Sequence, residues 1–296
     1  MQRPLIVDGG LATGLEELGH ELHPRLWSAG VFLETPQSVE ELHTAYLAAG
    51  AEILVTASYQ MSFEGLAREG LDSTAAESAM RATIETARRA AHRHGRPAIV
   101  AASVGPYGAV LADGSEYRGD YGLGPEELAA FHRRRLEVLR RSGADLLAIE
   151  TIPSLEEARV LCALLSEHDG IDAWISFSCR DGMHIADGHR ISQASALLEA
   201  CPAVTAVGVN CTAPEYVSDL MDGIREGSGK RIIVYPNSGE TWDAVRRRWS
   251  GNIVQARFLE LAREWAQRGA WAIGGCCRVG PAMIRELARV FEDTPS

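Results

Sequence analysis

No apolar segment of this 296-residue chain approaches the roughly 20 residues that a membrane-spanning helix needs, so none is expected. No proline-rich, serine-rich or charge-block linker divides it, and residues 1–296 are expected to form a single domain. Cysteine is scarce: six thiols fall far short of a disulfide scaffold, and no Cys-x-x-Cys pair is present to build a structural zinc unit. Arg3, Pro4 and Asp8 interrupt any apolar run at the start. A secretory signal is therefore not expected, and the thiols are expected to be reduced, in a cytoplasm. Positive charge is also the minority, with 29 Lys and Arg against 40 Asp and Glu and a net charge of −11. A phosphate backbone or an anionic bilayer would be repelled, which argues against nucleic-acid and membrane partners. A cationic small-molecule substrate is compatible with that charge, although solubility alone accounts for most acidic chains. The sequence does not fix the oligomeric state, and a homo-oligomer is compatible with it.

What is present is a repeating alternation. Short β-branched and apolar runs fall at residues 5–7, 53–56, 98–104, 145–149, 173–177, 206–209, 232–235 and 272–273. Between them, apolar residues recur at helical spacing over 39–49, 78–91, 126–141, 155–166 and 254–268. Capping boxes support three helix starts, Ser38 with Glu41, Thr74 with Glu77 and Ser154 with Glu157. Three helices end on a glycine just before a strand, at Gly50, Gly143 and Gly269. Eight alternating units of this kind imply a parallel sheet, and the α/β fold expected is a single (β/α)8 TIM barrel, with an open doubly wound sheet as the alternative. Residues 107–124, rich in Gly and Tyr, read as a long loop over the mouth that acts as a lid.

In a barrel the chemistry gathers at the C-terminal ends of the strands, which singles out Asp8, Tyr59, Ser103, Glu150, Cys211, Asn237, Cys276 and Cys277. Three cysteines in that set suit zinc, and three ligands rather than four leave one coordination position open for chemistry. The competing reading is that these are small buried hydrophobes, as is expected of Cys162, Cys179 and Cys201. Chance is a weaker explanation when strand position alone collects three thiols and two acids. The Gly9 to Gly14 run has the wrong spacing for a dinucleotide site, but the amides near Gly9 and Gly10 could receive a carboxylate. His92, His94, His184 and His189 read as surface or turn residues. The arginine runs 133–135 and 246–248 read as solvated helix faces.

Several segments together resemble the homocysteine S-methyltransferases over nearly the whole chain. They are Asp8-Gly9-Gly10 with Thr13, Leu26-Trp27-Ser28-Ala29, Thr56-Ala57-Ser58-Tyr59-Gln60 and Ser103-Val104-Gly105-Pro106-Tyr107-Gly108. Further matches are Asp113-Gly114-Ser115-Glu116-Tyr117-Arg118-Gly119, Glu150-Thr151-Ile152-Pro153, Asn210-Cys211, Tyr235-Pro236-Asn237-Ser238-Gly239-Glu240 and the run from Gly274 to Arg278. The Asn-Cys and Gly-Gly-Cys-Cys-Arg elements are the specific ones. The resemblance implies Zn2+ held by Cys211, Cys276 and Cys277, which are the catalytic set, with the substrate thiolate in the fourth position. It implies that Asp8 and Glu150 bind the homocysteine ammonium, with Gly9, Gly10, Trp27 and Tyr59 also on the substrates, and that Asn237, with Glu240, either fixes polar parts of the donor or orders the mouth. The donor it implies is a sulfonium, S-methylmethionine before S-adenosylmethionine, with betaine the alternative. The aromatic faces of Trp27, Tyr59 and Tyr107 suit such a cation.

Overall fold

The computed structural model describes residues 3–167, 170–239, 241–243, 248–250 and 255–292. All eight expected strands form: β1 (Leu5–Ile6), β2 (Ile53–Val55), β3 (Ile99–Val104), β4 (Leu146–Ile152), β5 (Ala173–Phe177), β6 (Val204–Asn210), β7 (Arg231–Tyr235) and β10 (Ala270–Ile273). A short antiparallel ribbon of β8 (Thr241–Asp243) and β9 (Arg248–Ser250), which the alternation pattern does not announce, lies between β7 and β10 in the chain. Every neighbouring pair in the main sheet is parallel, in the order β1-β10-β7-β6-β5-β4-β3-β2. A parallel bridge from Val7 to Ile53 joins the two ends, so the sheet closes into a (β/α)8 barrel.

Alternation along each strand divides the core in two. Inside the barrel lie Val7, Ile53, Ala101, Ala148, Trp174, Ala206, Ile233, Tyr235 and Ala272. Their neighbours Leu54, Val100, Leu147, Ile175, Val207, Ile232 and Ile273 face outward onto the helices. Four of the interior residues are alanines, and the one indole, Trp174, fills the space they leave while its Nε1 donates to Tyr235 Oη at 2.9 Å.

The helices largely follow the apolar spacing, with instructive differences at their starts. The helix Pro36–Ala48 begins before Ser38, because Pro36 at the first turn presets the helical φ. The helix Ser73–His94 is capped by Asp72, whose side chain accepts from the Ala75 amide at 2.9 Å, so Thr74 lies inside it. Ser154 does cap Leu155–Ser166, accepting from the Glu157 amide at 3.2 Å, but the Glu157 carboxylate does not reach back to complete the box. It is fully buried and instead accepts from the Tyr107 amide at 2.7 Å and the Tyr121 hydroxyl at 3.0 Å, and it meets His132 Nε2 at 2.8 Å. Gly50, Gly143 and Gly269 have φ of 103°, 83° and 83°, the left-handed conformation expected where each helix stops.

Arg135 departs from the expected solvated arginine face. It is fully buried, donates to the Gly105 carbonyl and to His132 Nδ1, and lies with its guanidinium 4.6 Å from the Phe131 ring centroid. Arg134 packs over Phe63 at 3.7 Å. The helical period carries residues 133, 134 and 135 to different sides of Pro125–Arg140, and only tertiary packing decides which side is interior. The 246–248 run lies outside the residues whose side chains are described.

His43, on Pro36–Ala48, is fully buried with neither ring nitrogen bonded among the described residues, and burial lowers its pKa to about 4. Between about pH 6.5 and 4 the unfolded chain takes up a proton at this position that the folded chain refuses, so His43 lowers stability progressively as pH falls. His43→Leu should therefore gain stability relative to the parent as pH drops through that window, approaching on the order of 3 kcal/mol. Urea denaturation at pH 7 and pH 4.5 measures it. An equal effect at both values would mean that the ring titrates in the fold as it does in the unfolded chain.

Candidate metal centre and active site

Cys211 follows the last residue of β6, and Cys276 and Cys277 follow β10 after two glycines. Hydrogen bonds pin the second turn on every side. The Cys276 amide donates to the Pro236 carbonyl at 2.8 Å, the Ser238 amide to the Cys277 carbonyl at 3.1 Å, and the Arg278 amide to Thr13 Oγ1 at 2.8 Å. Neither Gly274 nor Gly275 is in the left-handed region. They are needed for close approach instead: a Cβ on Gly275 would sit 2.1 Å from Val279 Cγ1.

The three sulfurs lie within 4.8 Å of one another. Among the described residues they are the one group of His, Cys, Asp and Glu side chains with metal-ligand spacing. Cys211 Sγ and Cys277 Sγ are 3.7 Å apart, and two thiolates on a tetrahedral zinc at about 2.3 Å each would be about 3.8 Å apart. The donor set and its spacing therefore fit a soft metal. In this structure Cys211 and Cys276 are joined as a disulfide with Cα atoms 5.6 Å apart, which differs from the expectation that all thiols are reduced. The proximity that allows shared ligation also allows the bond, and the same sulfurs cannot serve as thiolates until it is reduced. Cys162 and Cys201 are buried away from this cluster, and Cys179 is half-buried, as structural thiols should be. Asn210 orients the neighbourhood. Its Oδ1 accepts from the Thr151 amide at 2.7 Å and Ser176 Oγ at 2.8 Å, its Nδ2 donates to Thr151 Oγ1 at 2.8 Å, and that nitrogen faces Cys276 Sγ at 4.0 Å.

These sulfurs open onto a cavity at the C-terminal mouth of the barrel, where ligands of such folds bind. Asp8, Gly9, Gly10, Trp27, Tyr59 and Glu150 all line it, joined by Glu116, Tyr117 and Thr151. Asp8 accepts from the Val55 amide at 3.0 Å, and burial, with the charge of Glu150 adding, raises its pKa well above the usual carboxylate range. Burial pushes Glu150 up to about 7, opposed by the hydroxyls of Ser103 and Tyr235, which bond to its charged form. Burial likewise raises Glu116 to about 7. An acid-lined cavity that disfavours its own negative charge is one that a cation stabilises.

Four expectations need correction. The Gly10 amide already donates to the Val279 carbonyl at 3.0 Å and so is no free donor for a carboxylate; Gly10 is required because a Cβ there would sit 2.6 Å from the Cys276 carbonyl oxygen. Asn237 does not line the cavity, and its Oδ1 accepts from the Gly239 amide at 3.0 Å, tying up a turn. Tyr107 packs edge-on against Tyr121 and Phe131, at 5.4 and 5.0 Å between ring centroids, and it is Tyr117 that reaches the cavity. Residues 107–124 are more ordered than a loop, containing the helix Tyr107–Leu111 and a 3-10 turn at Ser115–Tyr117. Glu157 anchors that cap through Tyr107 and Tyr121, and Ser178 Oγ donates to the Glu116 carbonyl at 2.9 Å. Glu240 lies outside the described residues.

Strain marks the same place. Trp27, Thr151 and Cys211 line the cavity with φ of 47°, 61° and 46°, and Arg278 beside Cys277 has 66°. Left-handed conformations cost non-glycine residues about 1–3 kcal/mol each and persist where surrounding structure holds them.

The family model described as homocysteine S-methyltransferase matches residues 5–291. The chain is 44% identical over 295 residues to homocysteine S-methyltransferase YbgG of Bacillus subtilis, covering 96% of this chain and 94% of that one. It superposes on the homocysteine methyltransferase MmuM of Escherichia coli at 40% identity, over 97% of this chain and 96% of that one. The TM-score is 0.88 with the oxidized form and 0.87 with the metallated form.

Removing a hydroxyl that stabilises the Glu150 carboxylate should raise that residue's pKa further. Ser103→Ala is expected to shift the protonated-carboxyl infrared band of Glu150, identified by its loss in Glu150→Gln, to persist above pH 7. A downward shift would show that the Ser103 hydroxyl is not a donor to the charged acid.

Proposed function

The chain belongs to the homocysteine S-methyltransferase family, and from that premise we propose that it moves a methyl group from a sulfonium donor to the sulfur of L-homocysteine, forming methionine. The preferred donor is S-methylmethionine, with S-adenosylmethionine used less well. The observation that carries this reading is the convergence of three sulfurs and buried acids in one cavity at the barrel mouth. The whole chain serves as one homocysteine-binding barrel domain. Its thiol chemistry requires a reducing compartment, which we take to be the cytoplasm.

The metal we assign is zinc, which Cys211, Cys276 and Cys277 would hold once the Cys211–Cys276 bond is reduced. A free thiol of pKa about 8.5 is mostly protonated at neutral pH, and a bound zinc supplies the thiolate form of the substrate sulfur there. The other groups bind and align. Asp8 and Glu150 receive the homocysteine ammonium, which relieves the cost of burying their charge. Trp27 and Tyr59 turn aromatic faces toward the sulfonium, and the cap over residues 107–124 excludes water. The methyl passes between the two sulfurs in line, the thiolate and sulfonium charges cancel, and two neutral thioethers result. With S-methylmethionine both are methionine. No side chain has to move a proton during the transfer, so proximity and alignment are the principal contributions of the chain.

Reduced protein should contain about one zinc per chain and form methionine from homocysteine faster with S-methylmethionine than with S-adenosylmethionine. Cys276→Ser should lose the metal, with turnover falling by at least about a hundredfold. Elemental analysis and methionine formation on the same preparation test both. Zinc retained at full stoichiometry in the variant would refute the ligand assignment, and metal-loaded protein active only with betaine would refute the donor.

A further inference from the structure

Three carboxyl groups are buried against the cavity, and the acceptor needs only two of them. Asp8 and Glu150 are electrostatic neighbours projecting from the ends of β1 and β4. Glu116 comes from a different part of the chain, the 3-10 turn of the cap. It is only 8% exposed, it lines the cavity, and its Oε2 has no hydrogen-bond partner among the described residues. Arg118, just after the turn, bonds Asp120 through Nε at 3.2 Å and Ser115 Oγ through one terminal nitrogen at 3.2 Å; its charge acts on Glu116, but it makes no hydrogen bond to Oε2. Glu116 lies near enough to Tyr59 and Cys277 for its charge to act on both, which places it on the sulfur side of the cavity. The carboxylate is bonded by its own backbone amide but its Oε2 is left without a donor, and a buried carboxylate satisfied on one side only is one that a cationic ligand stabilises.

We propose that Glu116 is the donor-recognition residue, and that its carboxylate takes the α-ammonium of an amino-acid-bearing sulfonium. Glu116 has this role only if the chain uses such a donor, as proposed above. The donor offers two cations, and the chemistry chooses between them. The sulfonium loses its charge as the methyl departs, so an acid set against it would stabilise the ground state more than the transition state and slow transfer. The ammonium keeps its charge throughout, so an acid set against it binds both states alike and improves affinity without a penalty in rate. Two ammonium groups then meet three acids: the acceptor ammonium at Asp8 and Glu150, and the donor ammonium at Glu116, which leaves the sulfonium to the aromatic faces. Betaine, which has no ammonium hydrogen to donate, would leave Glu116 unsatisfied. Glu116 thereby selects sulfonium amino acids.

The test is calorimetric binding to the reduced, zinc-loaded protein and its Glu116→Gln variant. The probes are S-methylmethionine and 4-dimethylsulfoniobutanoate, the same molecule without its amine. Glu116→Gln should weaken S-methylmethionine by about tenfold to a hundredfold, the loss of one charge-assisted hydrogen bond. It should leave the amine-free analogue and homocysteine bound as in the parent. In turnover the KM for S-methylmethionine should rise with kcat within about threefold. Equal weakening of both sulfonium probes would overturn the proposal by placing Glu116 on the sulfonium or in the packing of the cap. So would weakened homocysteine binding, which would place it in the acceptor site, unchanged affinity for S-methylmethionine, or no binding of S-methylmethionine to the parent. Parent protein that binds S-methylmethionine but transfers no methyl would refute the catalytic reading and leave the Glu116 assignment to stand or fall on the binding data.

Discussion

The closure of the barrel between its first and last strands is the constraint on which the rest of the structure depends. β1 lies parallel to β10, with Leu5 opposite Ala272 and Ile6 opposite Ile273, and beyond that pairing the Gly275 amide donates to the Asp8 carbonyl at 3.2 Å. The approach is so close that a Cβ on Gly10 would collide with the Cys276 carbonyl, and one on Gly275 with Val279. An acid from one end of the chain and two thiols from the other thus share a wall. On the far side, β10 pairs with β7 and β7 with β6, which brings Cys211 to the same point.

Once closed, the mouth concentrates groups that water would otherwise keep apart. Asp8 and Glu150 share the cavity, both pushed toward neutrality by burial, while Ser103 and Tyr235 pull Glu150 back toward the charged form. A cavity held in that balance binds a cation without needing a fixed negative charge when empty. The sulfurs obey a similar logic. Three thiols this close have the spacing to share a metal when reduced and form a Cys211–Cys276 bond when oxidised, so any metal affinity of the cluster would be linked to its reduction.

The cap adds the second half of the site, and its hold is electrostatic. Glu157, buried in the outer layer, joins the amide of Tyr107, the hydroxyl of Tyr121 and the ring of His132, while Arg135 ties His132 to the Gly105 carbonyl. Burying ionisable groups is costly, and breaking up such a set leaves unpaired charge behind. It holds the 3-10 turn in place, so that Glu116 and Tyr117 meet the cavity from above the cysteines and acids of the strand ends.

Local rules were enough for the architecture. Short apolar runs and helical spacings gave the strands and five principal helices, the glycines at 50, 143 and 269 marked the returns, and strand ends singled out Asp8, Tyr59, Glu150 and the three cysteines of the cavity. Those features repeat along the chain and need no knowledge of what lies across the barrel. Other assignments depended on distant partners. Whether Glu157 completes its own capping box or holds the cap, whether Arg135 faces water or Gly105, and whether Asn237 reaches the cavity or closes a turn are each decided by groups about 30 or more residues away or by local geometry that the barrel imposes. Glu116 was visible only as one letter in a polar loop, since a sequence shows that a carboxylate exists but not whether it has a partner. Burial and hydrogen-bond satisfaction are properties of the packed molecule, and for that reason the sequence by itself determined the barrel and its cluster of three thiols, while only the tertiary structure decided which charged groups hold the fold and which face the cavity.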